Sequence, residues 1–193
     1  MRVVVLAAVL ALAACNPSTQ GNAEAPGAER AAADSAGGCA ATASAPWDAG
    51  SETLTVEASA TGADCASAEA TIAVRRGQGP ALHAQSFPVS QIMTLAGAES
   101  AADMQRRLQE WVSPAGAAMD STGDLPEWAA NAPNPGETEF PFHPDDGVDR
   151  AAYAAVRAAD APMFCFVQGL ESEACFYLEA GALRRIGAQQ FPG

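Results

Sequence analysis

The chain has 193 residues and a formal net charge of −13 at pH 7, because ten arginines face 23 carboxylates and lysine is absent. This charge argues against a nucleic-acid ligand, whose phosphates would be repelled, and against a polybasic contact with anionic lipid. It is compatible with a basic protein partner. Acidity that only keeps an exported protein soluble is the alternative interpretation.

The first fifteen residues have the order of an export signal. Arg2 supplies a positive start, an uninterrupted apolar run extends from Val3 to Ala14, and small side chains precede Cys15. A helix needs about 20 apolar residues to cross a bilayer, so this run is too short for a membrane anchor. We therefore predict that residues 1–14 are a signal peptide that is removed.

The four residues Leu12-Ala13-Ala14-Cys15 resemble the lipobox of bacterial lipoproteins. This resemblance implies that Cys15 receives a diacylglyceryl group, becomes the first residue after cleavage and is acylated, for example with palmitate, at its amino terminus. An ordinary secretory signal cut elsewhere is the alternative. Asn16 stands where the inner-membrane retention signal of enteric bacteria has Asp, so the resemblance implies an outer-membrane anchor facing the periplasm.

The chain beyond the lipobox divides into a tether and one domain. Residues 15–38 comprise the lipidated cysteine and a segment of small and polar residues without a large apolar side chain, which predicts a flexible tether. Residues 39–193 have the length of one ordinary domain. The sequence does not indicate an oligomeric state.

Four cysteines remain once Cys15 is lipidated, and an even number in an oxidising compartment favours two disulfides. Three pairings are possible. We predict Cys39 with Cys65 and Cys165 with Cys175, because each pair encloses one local unit. A zinc site is the alternative, but the close cysteine pairs and the two histidines lack zinc-ligand spacing.

The first half of the domain has the pattern of an antiparallel meander. Apolar and polar residues alternate over 54–58, and Ile72 and Val74 continue that alternation after a turn at 61–64. Residues 81–87 predict a third strand. Next, Ser100 and Asp103 form a helix-capping pair, and apolar residues recur at helical spacing at Met104, Leu108, Trp111 and Val112.

The end of the chain predicts a second helix and a hairpin. Asp149 caps a short helix that Pro162 ends. The apolar runs 163–167 and 175–178 then predict two strands joined by the Cys165–Cys175 disulfide, and a third strand follows around 183–186. The predicted fold class is α+β, with a small antiparallel sheet or sheets, two amphipathic helices, two disulfides and a long loop.

That loop, Pro114 to Gly147, is rich in proline, glycine and acidic residues and has no period of a helix or strand. Loops of this length are uncommon in compact domains and are often functional. We predict that it is an interaction surface, and its candidate contact residues are Trp128, Phe140, Phe142, His143, Asp145 and Asp146.

Residues for catalysis or metal binding are few. The chain has two histidines and no Gly-x-Ser-x-Gly motif. His83 lies in a strand pattern and is expected at the surface, whereas His143 lies near carboxylates and could act as an acid or base. The acidic residues of the loop lack the spacing of an EF-hand. We therefore predict no catalytic residue, no metal site and no cofactor.

Together these patterns predict a binding or accessory module of the bacterial envelope, anchored by lipid. One version is an inhibitor of a basic cell-wall hydrolase, because lysozyme-inhibitor lipoproteins are similar in size, anchor and export route, although this chain shares no motif with them. A small hydrolase that uses His143 and nearby carboxylates is a second alternative. A structural spacer is the third.

Overall fold

A computed structural model describes residues 38–113, 121–136 and 140–191 of the chain. The predicted signal peptide, Cys15 and most of the predicted tether lie outside the described residues. Within the described ranges, no helix combines the length and apolar character that crossing a membrane requires.

The first sheet (sheet 1) is an antiparallel meander whose four strands lie side by side in chain order. The strands are β1 (Cys39–Ala49), β2 (Glu52–Gly62), β3 (Glu69–Arg75) and β4 (Ala81–Pro88). The second sheet (sheet 2) is also antiparallel and has the order β5-β8-β7-β6. Its strands are β5 (Phe142–Pro144), β6 (Met163–Val167), β7 (Ser172–Glu179) and β8 (Ala182–Gln190).

Two helices complete the fold, α1 (Ala101–Val112) and α2 (Arg150–Ala159). Both begin where the sequence predicts. The Asp103 N–H donates to the hydroxyl of Ser100 over 3.1 Å, and the Ala152 N–H donates to the carboxylate of Asp149 over 2.8 Å. Each cap satisfies a backbone donor that the first helical turn leaves free. The predicted α+β class is confirmed.

Strand β1 is an element that the sequence pattern did not predict. Its side chains alternate strictly between buried and exposed, but most of the buried ones are alanines. Alanine has low strand propensity and little hydrophobic contrast with serine or threonine, so the alternation is faint in the sequence. Pairing with β2 along all eleven residues, from Cys39 opposite Gly62 to Ala49 opposite Glu52, stabilises this strand.

The free edge of β1 is covered by helix α1. The N–H of Thr42 donates to Oε1 of Gln105 over 3.2 Å, and Nε2 of Gln105 donates back to the carbonyl of Thr42. One amide side chain thus satisfies both backbone groups that Thr42 presents at the edge. Pro46 lies four residues along the same strand, where its missing N–H removes another edge donor. This edge is therefore protected against pairing with another strand.

The main core lies between sheet 1, α1 and one face of sheet 2. The four apolar residues predicted for α1 are all buried there. Trp111 also donates from its indole nitrogen to the carbonyl of Val167 over 2.7 Å, which ties α1 to β6. The aromatic side chains that sheet 2 contributes to this core are Phe164, Phe166 and Phe176.

A second core lies on the opposite face of sheet 2, where α2 packs. It contains Leu125, Phe142, Tyr153, Met163, Cys165, Cys175 and Ile186. Sheet 2 therefore buries side chains on both faces, which explains why β6 is a nearly continuous apolar run.

Both disulfides join the predicted partners. Cys39 and Cys65 are bonded with an S–S distance of 2.05 Å, and Cys165 and Cys175 are bonded across directly opposite positions of β6 and β7. The first bridge attaches the start of β1 to the turn that follows β2. The prediction of two locally closed units is confirmed.

Candidate functional site

The predicted loop is only partly irregular. Residues 122–124 form a single 3-10 turn that Ser121 caps, and Phe142–Pro144 form strand β5, which pairs with β8. The prediction of a loop was therefore wrong at β5. Its three residues carry too little pattern to predict a strand, and the pairing partner lies more than forty residues along the chain, from Gly187 to Gln189.

Helix α2 holds the segment 121–136 in place. Arg150 in its first turn donates to the carbonyls of Trp128 over 2.8 Å and of Ala132 over 2.9 Å, and it also donates to the carbonyl of Ala129. The same guanidinium lies 4.7 Å from the ring centroid of Trp128, within cation–π distance. A single arginine thus organises this stretch of irregular backbone.

Two further side chains of α2 bind backbone carbonyls of the same segment. The Tyr153 hydroxyl donates to the carbonyl of Pro126 over 2.8 Å, and Nε of Arg157 donates to the carbonyl of Leu125 over 2.7 Å. Burial raises the pKa of the Tyr153 phenol far above its usual range, so the hydroxyl keeps its proton and remains a donor. These contacts satisfy carbonyls that no strand or helix serves.

The start of the segment is tied to the end of α2 by Thr122. Its hydroxyl donates to the carbonyl of Val156 over 2.8 Å and accepts from the N–H of Ala161 over 2.8 Å. Thr122 is the buried polar residue of the described chain, and both of its hydrogen-bonding roles are used. We call the residues 121–136 together with 140–149 the α2-held surface.

The six predicted contact residues occupy different environments in this surface. Phe142 is fully buried in the second core and is therefore unable to contact a partner in this structure. Trp128 is half-buried, packs edge-on against Tyr153 and donates from its indole to Ala132. Phe140 is 43% exposed, and Asp146 is exposed at the turn after β5.

His143 and Asp145 lie two residues apart but have different partners. His143 is half-buried on β5, and its Nε2 atom has no hydrogen-bond partner among the described residues. Asp145 pairs with Arg185 of β8 at 3.2 Å. Acid–base chemistry would require His143 to contact a nucleophile or an orienting carboxylate. Asp145, the carboxylate two residues away, is paired with Arg185 and not with His143.

His83 is not the surface residue that the sequence suggested. It is half-buried where β4 meets sheet 2, and its ring centroid lies 4.3 Å from that of Phe176. Its Nε2 atom is buried without a hydrogen-bond partner in the described part of the chain. Burial, and secondarily the charge of Arg185, lower the pKa of this histidine.

One group of side chains has the compactness of a metal site. The potential ligand atoms of Cys165, Glu173 and Cys175 lie within 4.8 Å of one another. The two sulfurs are bonded to each other, however, so neither is available as a thiolate ligand. Burial raises the pKa of the Glu173 carboxyl beside them.

In the described chain, all of the arginines have polar partners, whereas some of the carboxylates form no ion pair. Each of its arginines contacts a carboxylate or a backbone carbonyl. Those with carboxylate partners are Arg75, Arg76, Arg106, Arg107, Arg184 and Arg185, and those that bind only carbonyls are Arg150 and Arg157. Glu127 and Asp146, on the α2-held surface, are exposed and form no ion pair with described residues.

The residues that organise this surface were not identified from the sequence. Arg150, Tyr153 and Arg157 follow a helical spacing of three and four residues, which was visible as one face of α2. Their partners are backbone carbonyls 18 to 32 residues away. Because every residue has a backbone carbonyl, the side-chain pattern of the sequence does not indicate which carbonyls are bound.

The chain was also compared with known proteins. No family model, no curated protein and no solved structure matched it.

Proposed function

We propose that this protein is a non-catalytic binding or accessory module of the bacterial cell envelope, anchored by lipid on Cys15 at the outer membrane and facing the periplasm. We further propose that the α2-held surface binds a basic protein partner. The observation that carries this proposal is that every described arginine already contacts a carboxylate or a backbone carbonyl. The exposed carboxylates of the α2-held surface therefore form no ion pair with described residues, and a cationic partner can pair with them.

The order of the α2-held surface supports binding. Arg150 and Tyr153 fix the backbone of residues 126–132 through hydrogen bonds, so little conformational entropy remains to be lost when a partner docks. Phe140 supplies an exposed aromatic side chain before β5, and Asp146 supplies an exposed carboxylate after it. An aromatic anchor together with charges suited to steering is a common composition of interfaces.

The proposal is tested by crosslinking the protein in intact cells, purifying it under denaturing conditions and identifying the attached proteins by mass spectrometry. We expect one recurrent basic partner. Its recovery should fall in a Cys15→Ser chain, which lacks the lipid attachment site. Recovery of only abundant membrane proteins, at equal levels with and without Cys15, would contradict the proposal.

Matched substitutions locate the contact. Phe140→Ser and Asp146→Asn change exposed positions of the α2-held surface, whereas Leu170→Ser changes an apolar side chain that is 56% exposed in the turn between β6 and β7. We expect the first two to reduce partner recovery and the third to leave it unchanged. An equal loss of partner recovery in all three variants would mean that the α2-held surface is not the contact.

The acidic, pre-ordered surface also favours one specific version of this function, inhibition of a basic cell-wall hydrolase. Purified full-length chain is added to lysozyme, and the lysis of a cell-wall suspension is followed by turbidity at low and high salt. Inhibition that weakens with salt and with Asp146→Asn is expected for this version. Unchanged lysis at all salt concentrations would exclude lysozyme as the type of target.

A further inference from the structure

Four hydroxyl side chains cross sheet 1 in one register row. Thr42 of β1 lies opposite Ser59 of β2, Ser59 lies opposite Thr71 of β3, and Thr71 lies opposite Ser86 of β4. The chain neighbours of Thr42, Ser59 and Thr71 are buried in the main core, as is Phe87 next to Ser86, so all four project from the outer face of the sheet. We call these residues the hydroxyl row.

Three members of the hydroxyl row, Thr42, Ser59 and Thr71, line a cleft of about 540 Å³, and Ser86 lies outside this lining with its hydroxyl 2.7 Å from that of Thr71. The next row contains Ser44, Glu57 and Ala73, and Ala73 is only 6% exposed although it belongs to the outer face. The surface is therefore concave at this position. Taller side chains of Glu57, Arg75 and Gln105 line the same cleft. Its volume falls in the range of about 300–1,000 Å³ that is typical of small-molecule sites.

The charges that line this cleft are internally paired. Nε of Arg75 donates to Oε2 of Glu57 over 2.8 Å, and another guanidinium nitrogen donates to the carbonyl of Gly79 over 3.2 Å. The remaining polar groups of the lining are hydroxyls and the amides of Gln105 and Gln109. The lining is thus neutral within a chain whose formal net charge is −13.

We propose that the cleft binds a neutral oligosaccharide. A sugar presents closely spaced hydroxyls that both donate and accept, and serine and threonine hydroxyls rotate to match either role. A charged ligand would compete with the contact between Glu57 and Arg75, whereas a neutral ligand does not. The cleft holds roughly two or three sugar rings. This site is separate from the α2-held surface, so either proposal can fail alone.

The test uses full-length ¹⁵N-labelled protein in a detergent without a sugar headgroup. Tri-N-acetylchitotriose and maltotriose serve as neutral probes, trigalacturonic acid as an anionic probe and trialanine as a peptide probe. We expect both neutral sugars to bind with millimolar affinity and to shift amide resonances of Thr42, Ser59 and Thr71. The anionic sugar and the peptide should leave these resonances unchanged.

Two substitutions of equal size separate a specific contact from a general change of the sheet. Thr71→Val removes a hydroxyl of the row, and Thr53→Val removes an exposed hydroxyl of the same outer face that does not line the cleft. We expect Thr71→Val to weaken sugar binding about tenfold and Thr53→Val to leave it unchanged.

Three results would overturn the proposal. These are an absence of shifts with both neutral sugars at millimolar concentration, shifts at the hydroxyl row with trialanine or with the anionic trimer instead, and equal weakening by the two valine variants. Thermal unfolding of each variant, followed by circular dichroism, shows whether it is folded before binding is measured.

Discussion

Sheet 1 and the α2-held surface differ in how their backbone donors and acceptors are hydrogen-bonded. In sheet 1, the backbone donors and acceptors pair with neighbouring strands over long registers, and a single glutamine serves the free edge. In the α2-held surface, three side chains of one helix satisfy the carbonyls of an irregular segment. Hydrogen bonds are therefore distributed over many residues in the first region and concentrated in a few in the second.

This difference predicts how each region responds to substitution. A substitution on the outer face of sheet 1 leaves the backbone ladder intact, so it should alter binding more than stability. Removal of Arg150 takes a donor from three carbonyls at once, of which those of Ala129 and Ala132 keep a second donor and that of Trp128 does not. An unpartnered group costs about 1–3 kcal/mol where it is buried.

The largest effect is expected for Arg150→Ala. The variant loses contacts to three carbonyls and the cation–π contact with Trp128, so we expect the free energy of unfolding to fall by about 2–4 kcal/mol. Urea denaturation measures this change. Hydrogen exchange should accelerate in residues 126–132 and remain unchanged in sheet 1.

Arg106→Ala is the matched control, because Arg106 forms ion pairs with Asp103 and Glu110 on the exposed side of α1. Exposed ion pairs of this kind contribute only about 0–1 kcal/mol. An equal loss of stability in the two arginine variants would contradict the contrast between the regions.

A smaller effect is expected for Gln105→Leu. This change removes both contacts at Thr42 and should lower the free energy of unfolding by about 0.5–1.5 kcal/mol. It also exposes the edge of β1, so self-association should increase with concentration. Sedimentation velocity measures the association and urea denaturation measures the stability.

Gln105→Glu provides a graded comparison. A carboxylate still accepts from the Thr42 N–H but does not donate to the Thr42 carbonyl, so we expect an intermediate loss of stability. If Gln105→Leu remained monomeric at every concentration tested, protection of the β1 edge would not depend on this glutamine.

The smallest effect concerns His83, at the junction of β4 with sheet 2. The pKa of His83 is lowered in the folded protein below its ordinary value of 6.5, chiefly by burial. Below pH 6.5 the unfolded chain therefore binds a proton that the folded chain does not bind, and the free energy of unfolding falls as the pH is lowered. Above pH 6.5 both states are neutral at this site and the contribution is constant.

The measurement compares urea denaturation of the unsubstituted protein and of His83→Gln between pH 7.5 and pH 5. We expect the stability difference between the two chains to change with pH in this window. The comparison is needed because Glu173, whose pKa is raised by burial, has the opposite effect when the pH falls through its raised pKa. A difference that is independent of pH would mean that His83 takes up a proton equally in both states.

The helices, the hairpin and the disulfides were all predictable because their determinants are local. The Ser100 and Asp149 caps and the apolar spacing of α1 lie within one or two turns, and Cys165 and Cys175 lie within one hairpin. Among the four cysteines of the domain, Cys39 and Cys65 are the nearest partners of each other along the chain. Strand β1 and strand β5 were not predicted. The first relies on alanine alternation and the second on three residues, and both exist because a distant strand pairs with them.

The candidate sites also combine features that the sequence indicated with features that depend on contacts between distant residues. The long segment was identifiable from composition, and Phe140 and Asp146 are exposed there. Phe142 is buried and β5 forms because residues far apart in sequence enclose them. The hydroxyl row was invisible along the chain, since its four members lie on four strands and only the strand register aligns them.

The sequence by itself determined the two helices, the C-terminal hairpin and the excess of negative charge, because short-range spacing and composition specify each of them. It favoured the observed disulfide pairing among three possible ones. Only the tertiary structure decided which loop residues are accessible, which carbonyls the arginines bind and which hydroxyls share a face. These properties depend on strand register and on contacts between distant residues, and neither has a local signature in the chain.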